Sequence, residues 1–504
     1  MFDPDSALYT AAEVRELDRI AIEGHGIPGI ALMRRAGRAV FEAARALGAG
    51  PLTVYCGAGN NGGDGYVAAA LAAAAGLPVR AVAVADPERL HGDARRAFEY
   101  AREEGVPTHP LGAVPPPAEG VVVDALLGTG LKGPPREPFA AAIREINGSG
   151  LAVVAVDVPS GLDADAGRPL GEVVRAAVTV TFIGRKRGLY TGAGPAVCGR
   201  VRFRDLGVPA AVRTALAPTA RLARWRALSR HLPRRPRDAH KGLFGHVLVI
   251  GGDLGFGGAA TLAAEAALRA GAGLVSVATR PEHVAAILAR TPEAMVRGVE
   301  SGQDLEPLLE RPTVLVVGPG LGRSAWSEQL LQRALGRGLP MVLDADALNL
   351  LAAGRFGQGA DLGRAVLTPH PGEAARLLGT SAAEVQADRF AAAEALAARF
   401  GATVLLKGAG TLVAGGGDSQ VAVIPFGGPG LATGGTGDVL SGVVGALLAQ
   451  GLQPRQAAEL GAAVHGLAGE RAAARWGEVG LRAGDLPGEI AHLLSGTLPV
   501  EEAE

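Results

Sequence analysis

Cysteine, tryptophan and methionine are scarce, with two, three and four residues in a chain of 504. Cys56 and Cys198 do not form a Cys-x-x-Cys spacing, so a disulfide framework and a zinc or redox centre drop out, and the usage fits a reducing compartment. An excess of either charge is lacking too. Lysine and arginine number 49 against 50 acids, a formal net charge of −1, which leaves no global pull toward nucleic acid or anionic membrane. No uninterrupted apolar run reaches membrane-spanning length. Residues 67–85 come nearest, but Gly76, Pro78 and Arg80 break them into an alanine-rich helix and a strand. The first residues, MFDPDSALYT, are acidic and lack the apolar segment of a secretory signal. The expectation is a soluble, cytoplasmic protein with no membrane or nucleic-acid partner.

Glycine, by contrast, is abundant, at 75 residues. With 48% hydrophobic and 20% charged residues, the length is ample for two domains, each with its own core. Val14, Leu17, Ile20 and Ala21, then Ala39, Phe41 and Ala44, predict two helices within 11–48. Short apolar runs follow at 52–56, 79–85, 121–123, 151–156, 177–183 and 201–203, most of them separated by helical or loop segments. This alternation predicts a mostly parallel sheet covered on both faces, with ligands beyond the carboxyl ends of its strands.

Three of those exits carry polar chemistry. They are Gly57-Ala58-Gly59-Asn60-Asn61-Gly62-Gly63-Asp64-Gly65, then Asp124-Ala125-Leu126-Leu127-Gly128-Thr129-Gly130-Leu131-Lys132-Gly133-Pro134, then Asp157-Val158-Pro159-Ser160-Gly161-Leu162-Asp163. A bare GxGxxG match is weak, but the first loop adds two asparagines and an acid to its glycines. Asn61, Asp124 and Ser160 together offer hard oxygen ligands to a cation. Asp163 reads as a turn residue. Asp64 and Asp157 read as site residues, because three polar exits converge on one sheet edge.

Seven arginines fall between Arg221 and Arg237, with Trp225 and His231 among them. A nucleic-acid patch and a solvated connector are the two readings. The run is short and has no RNA-binding motif, which favours the connector and places a domain boundary there. The division predicted is 1–218, a connector at 219–240, and 241–504. The second part restarts the alternation at 247–250, 274–278, 314–317, 341–343, 365–367 and 404–406. Its exits hold Gly251-Gly252-Asp253, Gly318-Pro319-Gly320-Leu321-Gly322, Asp344-Ala345-Asp346, Thr368-Pro369-His370-Pro371-Gly372-Glu373 and Lys407-Gly408-Ala409-Gly410-Thr411. Glycines let backbone approach phosphates, and Lys407 supplies a point charge.

The stretch 427–442, GGPGLATGGTGDVLSG, is too rich in glycine to lie inside a helix or strand, yet it turns apolar and helical from Val439. It reads as a glycine loop opening a helix, with Asp438 at the first helical position. Free backbone N–H groups and the helix dipole make such a start an anion site. On these residues alone Asp438 is either an N-cap or the base that takes a proton from a hydroxyl attacking phosphorus.

The segment 427–442 closely resembles the glycine-rich segment of the ribokinase-like ADP/ATP-dependent NAD(P)H-hydrate dehydratases. HKGLFGHVLVIGG, VVGPGLG, LDADALNLL, LTPHPGEAARLLG and LLKGAGT extend that resemblance over nearly all of 240–490 in family order. GAGNNGGDG, DALLGTGLKG and DVPSGLD, in this order and spacing, resemble the NAD(P)H-hydrate epimerase domain. Two departures stand out: Arg34 where an LME-type segment is usual, and Gly428 where asparagine is usual.

The resemblance implies a Rossmann-like three-layer sandwich followed by a ribokinase-like α/β domain, joined in a bifunctional NAD(P)H-hydrate repair enzyme. The first half would interconvert the R and S epimers of NADH or NADPH hydrated at the nicotinamide ring. Asn60, Asn61, Gly62, Gly63, Asp64, Gly128, Thr129, Gly130, Leu131, Lys132, Gly133, Pro134 and Asp157 would bind the dinucleotide there, and Asn61, Asp124 and Ser160 would hold K⁺. The second half would restore NAD(P)H from the S form. It would place Ala259, Gly320, Gly322, His370 and Asp438 on the hydrated dinucleotide, and Lys407, Gly408, Ala409, Gly410, Thr411 and Gly437 on the adenine nucleotide. Asp438 would be catalytic, ADP with Mg²⁺ the phosphoryl donor, and the assembly a homo-oligomer. Two rivals follow: a ribokinase-like kinase of a small hydroxylated vitamin precursor, and a non-catalytic scaffold in the first half. The loops KGAGT and TPHPGE argue against the first, and the presence of Asn61, Asp124 and Ser160 against the second.

Overall fold

The computed structural model describes residues 3–232, 234–354, 359–496 and 500; Pro233, in the arginine-rich run, lies outside them. The chain divides into two compact units, one ending at Arg221 and one beginning at Leu222.

The first unit contains β1 (Ala7–Tyr9), β2 (Leu52–Cys56), β3 (Val79–Ala83), β4 (Thr108–Pro110), β5 (Val121–Ala125), β6 (Ala152–Val156), β7 (Val178–Phe182), β8 (Arg185–Lys186) and β9 (Arg200–Arg204), and β10 (Ala220–Leu222) spans the division. Seven of these form a parallel sheet in the order β4-β3-β2-β5-β6-β7-β9. Alternate residues face opposite sides, and both sides are apolar. Val54, Cys56, Val123, Val154 and Val156 pack with the helices Gly29–Leu47 and Asn60–Ala74, while Tyr55, Val82, Val122 and Val153 pack with Phe139–Gly148. Those are the three layers of the sandwich. Strand order reverses between β2 and β5, the switch point where ligands bind in such sheets. β1 pairs parallel with β8 and antiparallel with β10, outside the main sheet.

The second unit contains β11 (His246–Ile250), β12 (Leu274–Thr279), β13 (Met295–Gly298), β14 (Val314–Val317), β15 (Met341–Leu343), β16 (Ala365–Leu367), β17 (Thr403–Leu406), β18 (Thr411–Gly415) and β19 (Asp418–Ile424). They lie in the order β13-β12-β11-β14-β15-β16-β17-β18-β19, parallel as far as β17, with β18 and β19 antiparallel. One face packs Val247, Val249, Val314, Val316, Val342 and Val366 against the helices Gly257–Arg269, Thr436–Ala449 and Pro454–Trp476. A Cβ at Gly442 would lie 2.1 Å from the Ala263 carbonyl oxygen, so the first two of these helices meet backbone to backbone there.

The stretch expected as a solvated connector is in part built into the second unit. Ala223 and Leu228 are buried in its core, Trp225 and Leu232 pack against it, and the Ala223 N–H donates to the Val423 carbonyl. Arg235 lies over the Phe244 ring, 4.0 Å from its centre. Apolar residues spaced between the arginines anchor the run. Among the described residues, no helix is long and apolar enough to cross a membrane.

Candidate functional site

Strands β15, β16 and β17 are neighbours, so Asp344, His370 and Lys407 leave adjacent carboxyl ends. The Lys407 ammonium pairs with Asp344 Oδ1 at 2.8 Å and lies 3.9 Å from Glu373 Oε2. Asp344 is buried, and its carboxylate also accepts from Thr368 Oγ1 at 2.8 Å and from Ser441 Oγ at 2.7 Å. Burial alone would raise this carboxyl. The Lys407 charge and the three hydrogen bonds overcome it and hold Asp344 below the usual carboxylate range. Desolvation pulls the ammonium down, yet Asp344 and Glu373 keep it above its ordinary value. Asp344 thus stands at the centre, a role that its place as one of two acids in a strand exit does not reveal. The backbone marks it: Ala345, the next residue, sits at φ +47°.

Asp438 does not open its helix. Gly435, at φ +93°, turns the chain in earlier, the helix begins at Thr436, and Asp438 stands third in the first turn without capping it. The cap alternative therefore fails. Its half-buried carboxyl is pushed up to about 7, chiefly by burial and then by the charge of Asp344, with Lys407 opposing. A carboxyl poised there exchanges protons readily at neutral pH. A side chain at Gly437 would come within 3.5 Å of Lys407 Nζ, so the glycine keeps that ammonium open beside the helix start. From the helix Pro454–Trp476, buried His465 places Nε2 2.9 Å from the Thr436 carbonyl. Burial drops its pKa to about 4, so the ring is neutral and donates.

Lys407 to Thr411 form the turn between β17 and β18. Lys407 N–H donates to the Pro369 carbonyl at 2.9 Å, Gly408 and Gly410 take φ of +139° and +60°, and Thr411 Oγ1 donates to the Gly408 carbonyl. A Cβ at Gly408 would meet the buried Arg389 guanidinium at 2.8 Å. Ala409 lies between the two glycines. His370 caps the helix Pro371–Leu378, with Nδ1 accepting from the Gly372 and Glu373 N–H groups and its own N–H donating to Glu373. Burial and the nearby Lys407 and Arg376 lower its pKa, and the accepting Nδ1 makes it a neutral ring. Gly320 and Gly322 follow β14, and Ala259 lies in the first turn of the helix after β11. A Cβ at Gly320 would stand 3.0 Å from Ala259 Cβ, and one at Gly322 2.7 Å from Asp253 Oδ2, so these residues form a second patch on the same sheet edge. No atom lies within 4 Å of a side chain built at Gly428, so the departure there opens space.

Losing Lys407 would strand a buried carboxylate. Lys407→Ala is expected to cost about 3–5 kcal/mol in urea unfolding and to weaken ADP binding. Adding Asp344→Asn should restore most of the stability and none of the affinity. An unchanged ADP affinity by calorimetry would remove Lys407 from the phosphate site.

In the first unit Asn60 to Gly65 are not a loop before a helix. They form the first turns of the helix Asn60–Ala74, capped by Gly59. Asp124 is the fourth residue of β5 rather than its exit. Its buried carboxylate accepts from Ser160 Oγ at 2.6 Å and from Ser160 N–H at 2.8 Å. Burial pushes it up to about 6, and no cationic side chain pairs with it among the described residues. Ser160 Oγ also accepts from the Leu127 N–H at 2.9 Å. Gly128 follows Leu127, and a Cβ there would lie 3.4 Å from Asn61 Oδ1. Asn61 Nδ2 is buried without a hydrogen-bond partner. Thr129 O accepts from Arg15, and Gly130 to Pro134 run on toward solvent, with Gly130, Lys132 and Pro134 exposed. Asp157 sits at φ +66° and binds the ammonium of Lys186, a fully buried residue that the motifs do not mark. Asp163 accepts from the N–H groups of Asp165 and Ala166, the expected turn. Arg34 stacks over Tyr100, 5.6 Å from the ring centre.

A parallel sheet ending in an antiparallel hairpin, with a buried Lys–Asp pair beside a glycine-opened helix, defines the second unit as a ribokinase-like α/β domain. The first is a Rossmann-like sandwich. Residues 247–491 match the family described as NAD(P)H-hydrate dehydratase, and 29–188 that described as YjeF-related protein N-terminus. The chain is 48% identical over 487 residues to the bifunctional NAD(P)H-hydrate repair enzyme Nnr of Coxiella burnetii, covering 95% of this chain and 98% of that one. It is 43% identical over 493 residues to the enzyme of the same name from Escherichia coli, covering 97% and 94%. A ribokinase-like superfamily protein of Enterococcus faecalis superposes with a TM-score of 0.51 at 30% identity, over 56% of this chain and 97% of that one. The chain belongs to the family of bifunctional NAD(P)H-hydrate repair enzymes.

Proposed function

We propose that residues 1–218 epimerise R- and S-NAD(P)HX, the hydrated dinucleotides, and that 241–504 dehydrate the S form with ADP, giving NAD(P)H, AMP and phosphate. The observation that carries the second activity is Asp438, poised near neutrality next to Gly437 in the field of the Lys407–Asp344 pair. Hydroxide leaves carbon poorly and phosphate leaves well. Phosphorylating the ring hydroxyl before elimination therefore lowers the barrier, and the protein supplies positioning, charge and removal of one proton. In this reading Asp438 takes the hydroxyl proton, the N–H groups of the helix start receive phosphate oxygens, and Lys407 neutralises them.

Mg²⁺ would shield the nucleotide phosphates. Among the described residues no three His, Cys, Asp or Glu side chains gather as a cation cage, so the ion is proposed to enter on the phosphates. K⁺ suits Asn61, Asp124 and Ser160, because Asp124 is a buried carboxylate with no cation beside it. It would fix the loops around the switch point. The homo-oligomer and the cytoplasmic location stay part of the proposal.

Product analysis tests the reading. One AMP and one phosphate should appear for each NADPH formed from the S epimer, and NADPH formed without ADP would overturn it. The base role also sets a pH dependence. Asp438 must be ionised, so dehydration should hold above pH about 7 and fall as pH drops through that value. A rate that rises with acidity would assign the proton transfer elsewhere.

A further inference from the structure

The reading of the second unit leaves open what holds the turn from Lys407 to Thr411 in a shape that can receive phosphate. Glycine lets such a turn come close to a ligand, but a glycine peptide left to itself rotates freely. A turn that binds phosphate through backbone N–H groups needs its carbonyls held on the other side.

What holds them is a buried arginine that belongs to no motif. Arg389 is the first residue of the helix Arg389–Phe400 and is 1% exposed. The helix gives no reason for a cation there. The dipole at a helix start favours acids, and Asp388 already caps this one by accepting from the Ala391 N–H at 3.0 Å. Arg389 Nη1 donates to Gln386 Oε1 at 2.8 Å, and Nη2 donates to the Leu406 and Lys407 carbonyls, each at 3.3 Å. Those two carbonyls are the last of β17 and the first beyond it. Burial pushes the guanidinium down to about 10, which leaves it charged at neutrality.

The peptide joining Lys407 to Gly408 is trans, so its N–H points away from its carbonyl. With that carbonyl on Arg389, the Gly408 N–H faces the opposite way, and Gly408 and Ala409 are exposed. The guanidinium also occupies the space that a side chain at 408 would need. A Cβ there would lie 2.8 Å from Nη1, 3.0 Å from Nη2 and 3.2 Å from Cζ. Lys407 itself is held by its N–H on the Pro369 carbonyl and by its ammonium on Asp344. The peptide plane that follows Lys407 is the one that Arg389 sets.

We propose that Arg389 is a positioning residue for the nucleoside diphosphate: by holding the Leu406 and Lys407 carbonyls it turns the Gly408 N–H outward, to donate to a phosphate oxygen beside the Lys407 ammonium. Arg389 touches no substrate in this arrangement and acts through the turn. The assignment rests on the reading of this turn as the ADP site, and one experiment separates the two.

The full chain is assayed with the S epimer and ADP, and ADP binding is measured by calorimetry. Arg389→Met keeps an unbranched side chain and removes every donor, while Arg389→Lys keeps a charged head without the planar fork. Arg389→Met should raise both the dissociation constant and KM for ADP by roughly 10- to 100-fold, the loss expected for one hydrogen bond to a charged group. Arg389→Lys should fall between that variant and the parent. In both, kcat at saturating ADP and KM for the S epimer should stay at the parental level. Urea unfolding shows whether each variant is folded, and if Arg389→Met is not, Arg389→Lys decides on the same readings. Parental ADP affinity in a folded variant overturns the assignment alone. A fall in saturated kcat, or a KM for the S epimer that rises in step with that for ADP, makes Arg389 merely structural and also overturns it. A parent that binds no ADP, or forms NADPH without it, removes the ADP reading and the assignment with it.

Discussion

Asp438→Asn is expected to abolish dehydration while leaving ADP affinity within a few-fold of the parent. The substitution keeps the shape of the side chain and removes only its capacity to take a proton. Asp438 does not cap its helix and forms no part of the hydrogen-bonded set around Asp344, so the helix start loses no partner. Asp438 is also a half-buried acid pushed up to about 7 by burial and then by Asp344. General-base catalysis is worth about two to four orders of magnitude in rate, and the loss should fall on kcat rather than on KM for ADP. Measuring kcat with the S epimer and ADP affinity by calorimetry on one preparation decides it. Near-normal turnover in a folded Asp438→Asn protein would take the proton transfer away from this residue.

The second large effect concerns the other unit. Asn61→Ala combined with Asp124→Ala should leave the enzyme consuming the S epimer at the parental rate and stalling on the R epimer. Asp124, in β5, and Ser160, in the segment that follows β6, share two hydrogen bonds, and Asn61 abuts Gly128 on the loop that leaves β5. Removing both side chains takes away two of the three oxygen ligands proposed for K⁺. The core of the second unit is untouched, because each unit has its own. Starting from an equal mixture of epimers, the variant should show a fast phase equal to the S share and then a slow phase limited by spontaneous epimerisation. A double variant that clears both epimers as fast as the parent would leave the first unit without an epimerase role, and the scaffold reading would replace it.

Strands buried on both faces were readable from sequence because their apolar runs are continuous. Residues 52–56, 314–317, 341–343 and 365–367 are strands at the expected bounds. Thr108–Pro110 and Met295–Gly298 were not, since each lies at the edge of its sheet, where one flank needs no partner and the residues are mostly exposed or half-buried. The β18–β19 hairpin escaped because Gly415, Gly416 and Gly417 hide the strands behind a turn. Glycine misled in both sites. Gly59 and Gly435 each open a helix earlier than composition suggests, which moved Asp64 inside a helix, past its first turn, and Asp438 into a first turn. Of the site residues, the loop-borne ones announced themselves by motif. Asp344 and Glu373 stand inside strand-exit motifs that give them no role, and His465 and Lys186 stand in none, because the character of such residues comes from partners far along the chain: Asp344 from Lys407 and Ser441, and Lys186 from Asp157.

The most direct test gives the intact chain an equal mixture of R- and S-NADPHX with ADP and follows absorbance at the NADPH band. The account predicts that the whole mixture is converted, with AMP and phosphate matching the NADPH formed. A plateau at the S share, or conversion that proceeds without ADP, would contradict it.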